Sequence, residues 1–95
     1  MLNKYESIFV ISPELDEETT KSIIEKIKNL IESEGELENI DEWGKRKLAY
    51  PIDYLNEGYY VLMNFAAKPE FPQELERVYK ITEGVIKNII IKKDN

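Results

Sequence analysis

A chain of 95 residues with 42% hydrophobic and 34% charged side chains is long enough for one packed core, too short for two, and too apolar to be disordered. It contains no cysteine and no histidine, which excludes disulfides, thiolate and imidazole metal sites, thiol nucleophiles and the usual proton shuttle near neutral pH. A net charge of −6 argues against binding a polyanion by bulk electrostatics.

The elements follow from the hydrophobic pattern in chain order. Lys4 to Ile11 starts polar and ends as a β-branched and aromatic run closed by Ser12-Pro13. Both parities are apolar from Ile8 to Ile11, as expected of a central strand. Asp16-Glu17-Glu18 puts acids where a helix N-terminus favours them. Ile23, Ile27, Leu30 and Ile31, flanked by Ile24, then mark one face of a helix over about 16–34, ended by Gly35. The acids and lysines of that helix read as its solvated face, not as a metal site.

Between Glu36 and Glu42, Leu37 and Ile40 fall on opposite parities, so a bulge is expected before or at Gly44. The strand resumes through Trp43-Gly44-Lys45-Arg46-Lys47-Leu48-Ala49-Tyr50-Pro51-Ile52. Counted in twos, Arg46, Leu48, Tyr50 and Ile52 share one side and Lys45, Lys47 and Ala49 the other. Pro51 suits an edge or a strand end. Asp53 to Gly58 has turn composition and leads into a second strand, Tyr59 to Ala67. Here Tyr59, Val61, Met63 and Phe65 are the core parity, while Tyr60, Leu62 and Asn64 need other cover. A second helix starts near Glu70 to Pro72, carries Phe71, Leu75, Val78 and Tyr79 along one side, and stops at Thr82-Glu83-Gly84. Val85 to Lys92 is a last strand, interrupted in its apolar pattern by Lys87-Asn88, before a polar end at Lys93-Asp94-Asn95.

Strand, helix, strand, strand, helix, strand, joined by right-handed crossovers, gives one α+β domain over 1–95 with the split βαβ (ferredoxin-like) arrangement. The four antiparallel strands, numbered in chain order, are expected in the order 4-1-3-2 with both helices on one face. Helices on one side leave the apolar residues of the other side, Ile8, Val10, Tyr60 and Leu62, exposed or covered by a partner.

Lys45, Arg46 and Lys47 form the one sharp basic cluster of the interior, and residues 45–95 carry 9 bases against 7 acids while residues 1–44 carry 4 against 12. Lysine offers point charge to phosphates and arginine a planar fork. The competing reading is that lysines keep an edge strand from pairing with another chain. Lys87, Lys92 and Lys93 extend a basic rim or keep a terminal edge soluble. Tyr50, Tyr59 and Tyr60 are candidates for base stacking or for cross-strand packing. Trp43-Gly44 reads as a packing anchor and a backbone irregularity. Glycine-rich phosphate loops, dinucleotide fingerprints and nucleophile elbows do not occur, so neither a catalytic residue nor a cofactor or metal is assigned.

The block Trp43 to Ile52, followed by Gly58-Tyr59-Tyr60 and preceded by Tyr5-Glu6, resembles the bacterial small-subunit ribosomal protein six family over essentially the whole chain. The resemblance implies a non-catalytic constituent of the small ribosomal subunit, in the cytoplasm, that pairs with small-subunit ribosomal protein eighteen and with it binds the central domain of the small-subunit (16S) ribosomal RNA. It implies RNA contact through Lys45, Arg46 and Lys47, to which the reading of the last strand adds Lys87, Lys92 and Lys93 as further candidate RNA contacts. It assigns Ile8, Val10, Tyr50, Tyr60 and Leu62 to the protein partner, whose own basic charge would offset this chain's acidity. The isolated chain is then expected to be a monomer, with no membrane partner and no small-molecule substrate. Some members of that family carry a long acidic C-terminal tail modified by added glutamates; this sequence ends at Asp94-Asn95, and that modification is not expected. Where the family often has an arginine at the start of the last strand, this chain has Ile86-Lys87.

The rival readings on the same fold are an acylphosphatase-like hydrolase and a dimeric small-ligand regulatory module. The hydrolase needs an arginine in a phosphate-cradling loop after the first strand. That loop reads Ser12-Pro13-Glu14-Leu15, with a glutamate that would repel phosphate.

Overall fold

The computed structural model describes residues 2–52 and 54–93; Asp53 of the expected turn and the closing Asp94-Asn95 lie outside the described residues. The chain runs β1 (Asn3–Ile11), α1 (Glu17–Glu34), β2 (Gly35–Ile52), β3 (Leu55–Ala67), α2 (Phe71–Ile81) and β4 (Val85–Lys92). The strands form one sheet in the order β2-β3-β1-β4 with every neighbouring pair antiparallel, which is the expected 4-1-3-2 order read from the other edge.

β1 and β3 hold the middle of the sheet, and their alternate residues decide where the core sits. Tyr5, Phe9 and Ile11 of β1 and Val61, Met63, Phe65 and Ala67 of β3 join Ile23, Ile24, Ile27 and Ile31 of α1 and Phe71, Leu75, Val78 and Tyr79 of α2 in one buried cluster. Each large side chain so buried contributes about 1.5–3 kcal/mol. The intervening residues, Glu6, Ile8, Val10, Tyr60, Leu62 and Asn64, point to the opposite face and take no part in that cluster.

Local chemistry fixes the ends of the elements. Asp16 caps α1 by accepting a hydrogen bond from the Thr19 backbone N–H at 2.8 Å, which holds its carboxyl below its ordinary range. At the other end, Gly35 is extended (φ −167°), not left-handed, so its role differs from that of a usual helix-terminating glycine. A Cβ there would run into the Ala66 carbonyl oxygen, and the glycine lets α1 pass directly into the edge strand. Gly84 does adopt the left-handed region (φ 103°), and its carbonyl accepts from the Ser12 backbone N–H at 2.7 Å, tying the end of β1 to the entry of β4.

Two register shifts in β2 resolve the parity conflict in its sequence. Between Leu37 and Asn39 the ladder skips one residue, so Leu37 pairs with Phe65 and Ile40 with Met63, both on the helix side. Between Glu42 and Gly44 it skips another, so Trp43 and Gly44 together oppose Tyr60, with Gly44 at φ 78°. β3 is longer than its composition suggested: after a third irregularity, between the Lys47–Glu57 and Ile52–Leu55 pairs, the ladder closes at Ile52 opposite Leu55, and the expected broad turn contracts. β4 continues through Lys87-Asn88, and its irregularity falls instead at Ile86, between the Val10–Lys87 and Ile11–Val85 pairs.

Deep in the core the Ser7 hydroxyl and the Tyr79 phenol share a hydrogen bond of 2.6 Å, and both residues are fully buried. Burial drives the phenol well above its ordinary pKa, so the bond keeps its proton throughout the physiological range. Tyr79→Phe leaves the Ser7 oxygen buried without its partner and is expected to cost about 1–3 kcal/mol. Adding Ser7→Ala to it should recover part of that loss, as read from denaturant midpoints of the two variants.

Candidate nucleic-acid and protein interface

The face without helices is apolar in its middle and charged toward its ends. Cross-strand pairing sets Ile8 between Leu62 and Ile89, and Glu6 between Asn64 and Ile91. Ile89 and Ile91 on β4 are 43% and 49% exposed, and Ile8, Leu62 and Tyr60 are partly exposed. Trp43, turned onto this face by the second bulge, stacks on Tyr60 with ring centroids 6.0 Å apart and planes 15° apart. Its indole N–H donates to Asp41 at 3.1 Å, which fixes the ring beside the strip. The result is a continuous apolar ledge from Trp43 and Tyr60 through Leu62 and Ile8 to Ile89 and Ile91.

Val10 corrects the sequence reading. It lies on this face, yet is 2% exposed, because the chain covers it itself. Leu48 reaches Gly58, whose missing side chain leaves the space that Val10 occupies; a Cβ on Gly58 would strike Val10 Cγ1. Tyr50 lies farther across, its ring 5.4 Å from Lys87 Nζ on the opposite edge strand. After Lys47 the edge strand thus folds over one end of the face, and the open patch begins beyond Val10. Tyr50 itself remains 63% exposed.

The same arm carries the basic triplet. Lys45 pairs with Tyr59, Arg46 with Gly58 and Lys47 with Glu57, so Arg46 projects on the helix-free side while Lys45 and Lys47 project on the other. All three are exposed, and among the described residues none of them forms an ion pair. Among the described residues the guanidinium of Arg46 donates only to the Lys45 carbonyl, at 3.2 Å. Lys45 borders a cleft formed with Leu15, Glu17, Thr20, Lys21 and Ile24 of the α1 side, where the Tyr59 hydroxyl donates to Glu42 at 2.9 Å. That bond raises the Tyr59 pKa and commits its hydroxyl to the protein.

The six cations proposed for a rim do not form one. Lys87 pairs with Val10 and sits at the arm's end of the sheet, whereas Lys92 pairs with Tyr5, five residues and about 17 Å farther along the strand. Lys93 lies beyond it, 4.0 Å from Glu6, in a region that also holds the Lys4–Glu38 pair at 3.4 Å. Four cations without an ion pair among the described residues, Lys45, Arg46, Lys47 and Lys87, therefore lie toward one end of the sheet, with Glu57 across the ladder from Lys47, while Lys4 and Lys93 at the other end have carboxylate partners. Sequence reasoning missed Ile89, Ile91 and Tyr54. The first two follow from β4 lying beside β1; the third is a bulky residue held at φ 59° and 83% exposed at the tip of the hairpin.

The loop after β1 folds on itself, with the Ser12 hydroxyl accepting from the Glu14 backbone N–H at 3.2 Å, and offers no cation to a phosphate. Among the described residues no cluster of acidic side chains has the makings of a metal site, and no helix is long and apolar enough to cross a membrane.

Comparison with known proteins agrees with this geometry. The family model described as Ribosomal protein S6 matches residues 4–92. Small ribosomal subunit protein bS6 of Clostridium novyi is 57% identical over 91 residues, covering 95% of this chain and 96% of that protein. The protein of the same name from Caldanaerobacter subterraneus subsp. tengcongensis is 57% identical over 95 residues, covering 99% of this chain and 100% of its own length. The crystal structure of 30S ribosomal protein S6 from Thermotoga maritima superposes with a TM-score of 0.92 at 33% identity, covering 98% of this chain and 89% of that one. With a match to the family model over residues 4–92, close relatives that are ribosomal proteins and not enzymes, and the same sheet order and helix placement, this chain belongs to the ribosomal protein S6 family.

Proposed function

We propose that this chain is a structural constituent of the small ribosomal subunit which binds the central domain of the small-subunit ribosomal RNA as one half of a heterodimer with small-subunit ribosomal protein eighteen. The observation that carries the reading is the division of labour across one sheet. An apolar ledge occupies the helix-free face, and unpaired cations project from the arm at one end of it. An apolar patch of partly exposed isoleucine, leucine and stacked aromatic side chains suits a protein, and exposed lysine and arginine suit phosphate. Ile8, Tyr50, Tyr60 and Leu62, with Ile89 and Ile91, meet the partner; Lys45, Arg46, Lys47 and Lys87 meet the RNA. Lys92 and Lys93 stand apart from that group and contribute less. Val10 acts from beneath, by supporting Leu48 and the arm.

The chain's net charge of −6 explains why two proteins are needed. A phosphate-rich surface repels most of this molecule, and a basic partner docked on the ledge supplies the missing neutralisation beside the arm. Alone, the chain is monomeric and binds RNA weakly.

Two measurements check the assignment. In a gel-shift series on central-domain RNA with the partner present, Lys45→Ala/Arg46→Ala/Lys47→Ala should weaken binding and flatten its salt dependence by roughly two to three phosphate contacts. An unchanged slope removes the triplet from the RNA surface. Ile89→Glu places a charge on the ledge without touching the core; partner affinity should fall at least about tenfold, the cost of burying an unpaired charge. By sedimentation the isolated variant should remain a folded monomer like the parent chain.

A further inference from the structure

Beyond Ile11 and its partner Tyr59 only β2 and β3 continue, their pairing interrupted between Lys47–Glu57 and the closing Ile52–Leu55 pair. Tyr54 sits at the tip, inside the closing Ile52–Leu55 pair. Its backbone is in the left-handed region (φ 59°), the one non-glycine residue so placed among the described residues, and its side chain is 83% exposed. That conformation disfavours bulky side chains and is met at lower cost by asparagine or glycine. An aromatic ring that is both disfavoured by its backbone and unsupported by packing gains nothing for the fold. It does gain an exposed place at the tip of the hairpin whose root carries Lys45, Arg46 and Lys47.

We propose that Tyr54 is an RNA-contacting residue whose ring stacks on an unpaired base while the cations at the root of the arm hold the neighbouring phosphates. This rests on the RNA-binding reading above and adds to it the class of element recognised, a nucleotide outside a continuous helix. Tyr59 and Tyr60 are poorly suited to the role. The hydroxyl of Tyr59 is held by Glu42, and one face of Tyr60 is taken by Trp43. Tyr50 lies against Lys87. RNA is favoured over a protein pocket because the exposed cations nearest along the arm are free of ion pairs among the described residues and the apolar ledge lies at a distance from the tip.

The test compares Tyr54→Asn, which keeps the left-handed backbone, with Tyr54→Phe, which keeps the ring. Each is measured with the basic partner on central-domain RNA over a range of salt. Tyr54→Asn should weaken RNA binding roughly 5- to 100-fold, with the salt slope unchanged and the melting temperature equal to or above the parent's; Tyr54→Phe should bind as the parent does. An asparagine variant that binds like the parent overturns the inference and leaves the RNA-binding reading intact. A loss confined to association with the protein partner overturns it too, and moves the tip to that interface. Failure of the parent pair to bind the RNA at all overturns both.

Discussion

The arrangement depends on one asymmetry: two helices cover a single side of a sheet whose two middle strands are apolar on both sides. Phe9 and Met63 bury against α1 and α2, while their neighbours Ile8 and Leu62 face away from any helix. Apolar surface left in water is a standing free-energy cost that a partner can remove, at about 25 cal/mol per Å² of area covered. The fold is held by one side and offers the other. Placing a charge on Ile89 or removing the Tyr79 hydroxyl therefore strikes opposite faces of the same strands, with different consequences.

Edge strand β2 links that asymmetry to the basic arm. Each bulge adds one residue to the strand and turns the side chains after it to the other face. The first brings Leu37 and Ile40 together on the helix side; the second brings Trp43 onto Tyr60 and decides that Arg46, not Lys45, shares a face with the ledge. The bulges and Pro51 also interrupt an edge that would otherwise present a long regular row of unpaired backbone groups. Gly58 then admits Val10, Leu48 closes over it, and Tyr50 reaches Lys87. The arm is in this way anchored to the sheet at its root and free at its tip.

Much of this was legible in the sequence because it rests on local periodicity. The six elements, the sheet order and the core parity of β3 follow from the spacing of Ile23, Ile27 and Ile31 and of Val61, Met63 and Phe65, and the parity clash between Leu37 and Ile40 announced a bulge. What was not legible depends on tertiary placement. Val10 looks exposed to a count in twos, since nothing local says that Leu48 of a distant strand will cross Gly58 to cover it. Lys87, Lys92 and Lys93 look like one group, but the extended backbone carries Lys92 to the opposite end of the sheet. Gly35 looks like a left-handed helix stop, whereas the structure uses its lack of a side chain against Ala66. The projection of Tyr54 needs a backbone angle that no residue pattern supplies.

The central claim is that the helix-free face is where the protein partner docks. Methyl NMR of the isolated chain, titrated with the basic partner, tests it most directly. The account expects the methyl resonances of Ile8, Leu62, Ile89 and Ile91 to shift or broaden, and those of Ile27, Ile31 and Leu75 between the helices and the sheet to stay in place. Perturbations centred on the exposed side of α1 or α2, with Ile89 and Ile91 unmoved, would contradict it.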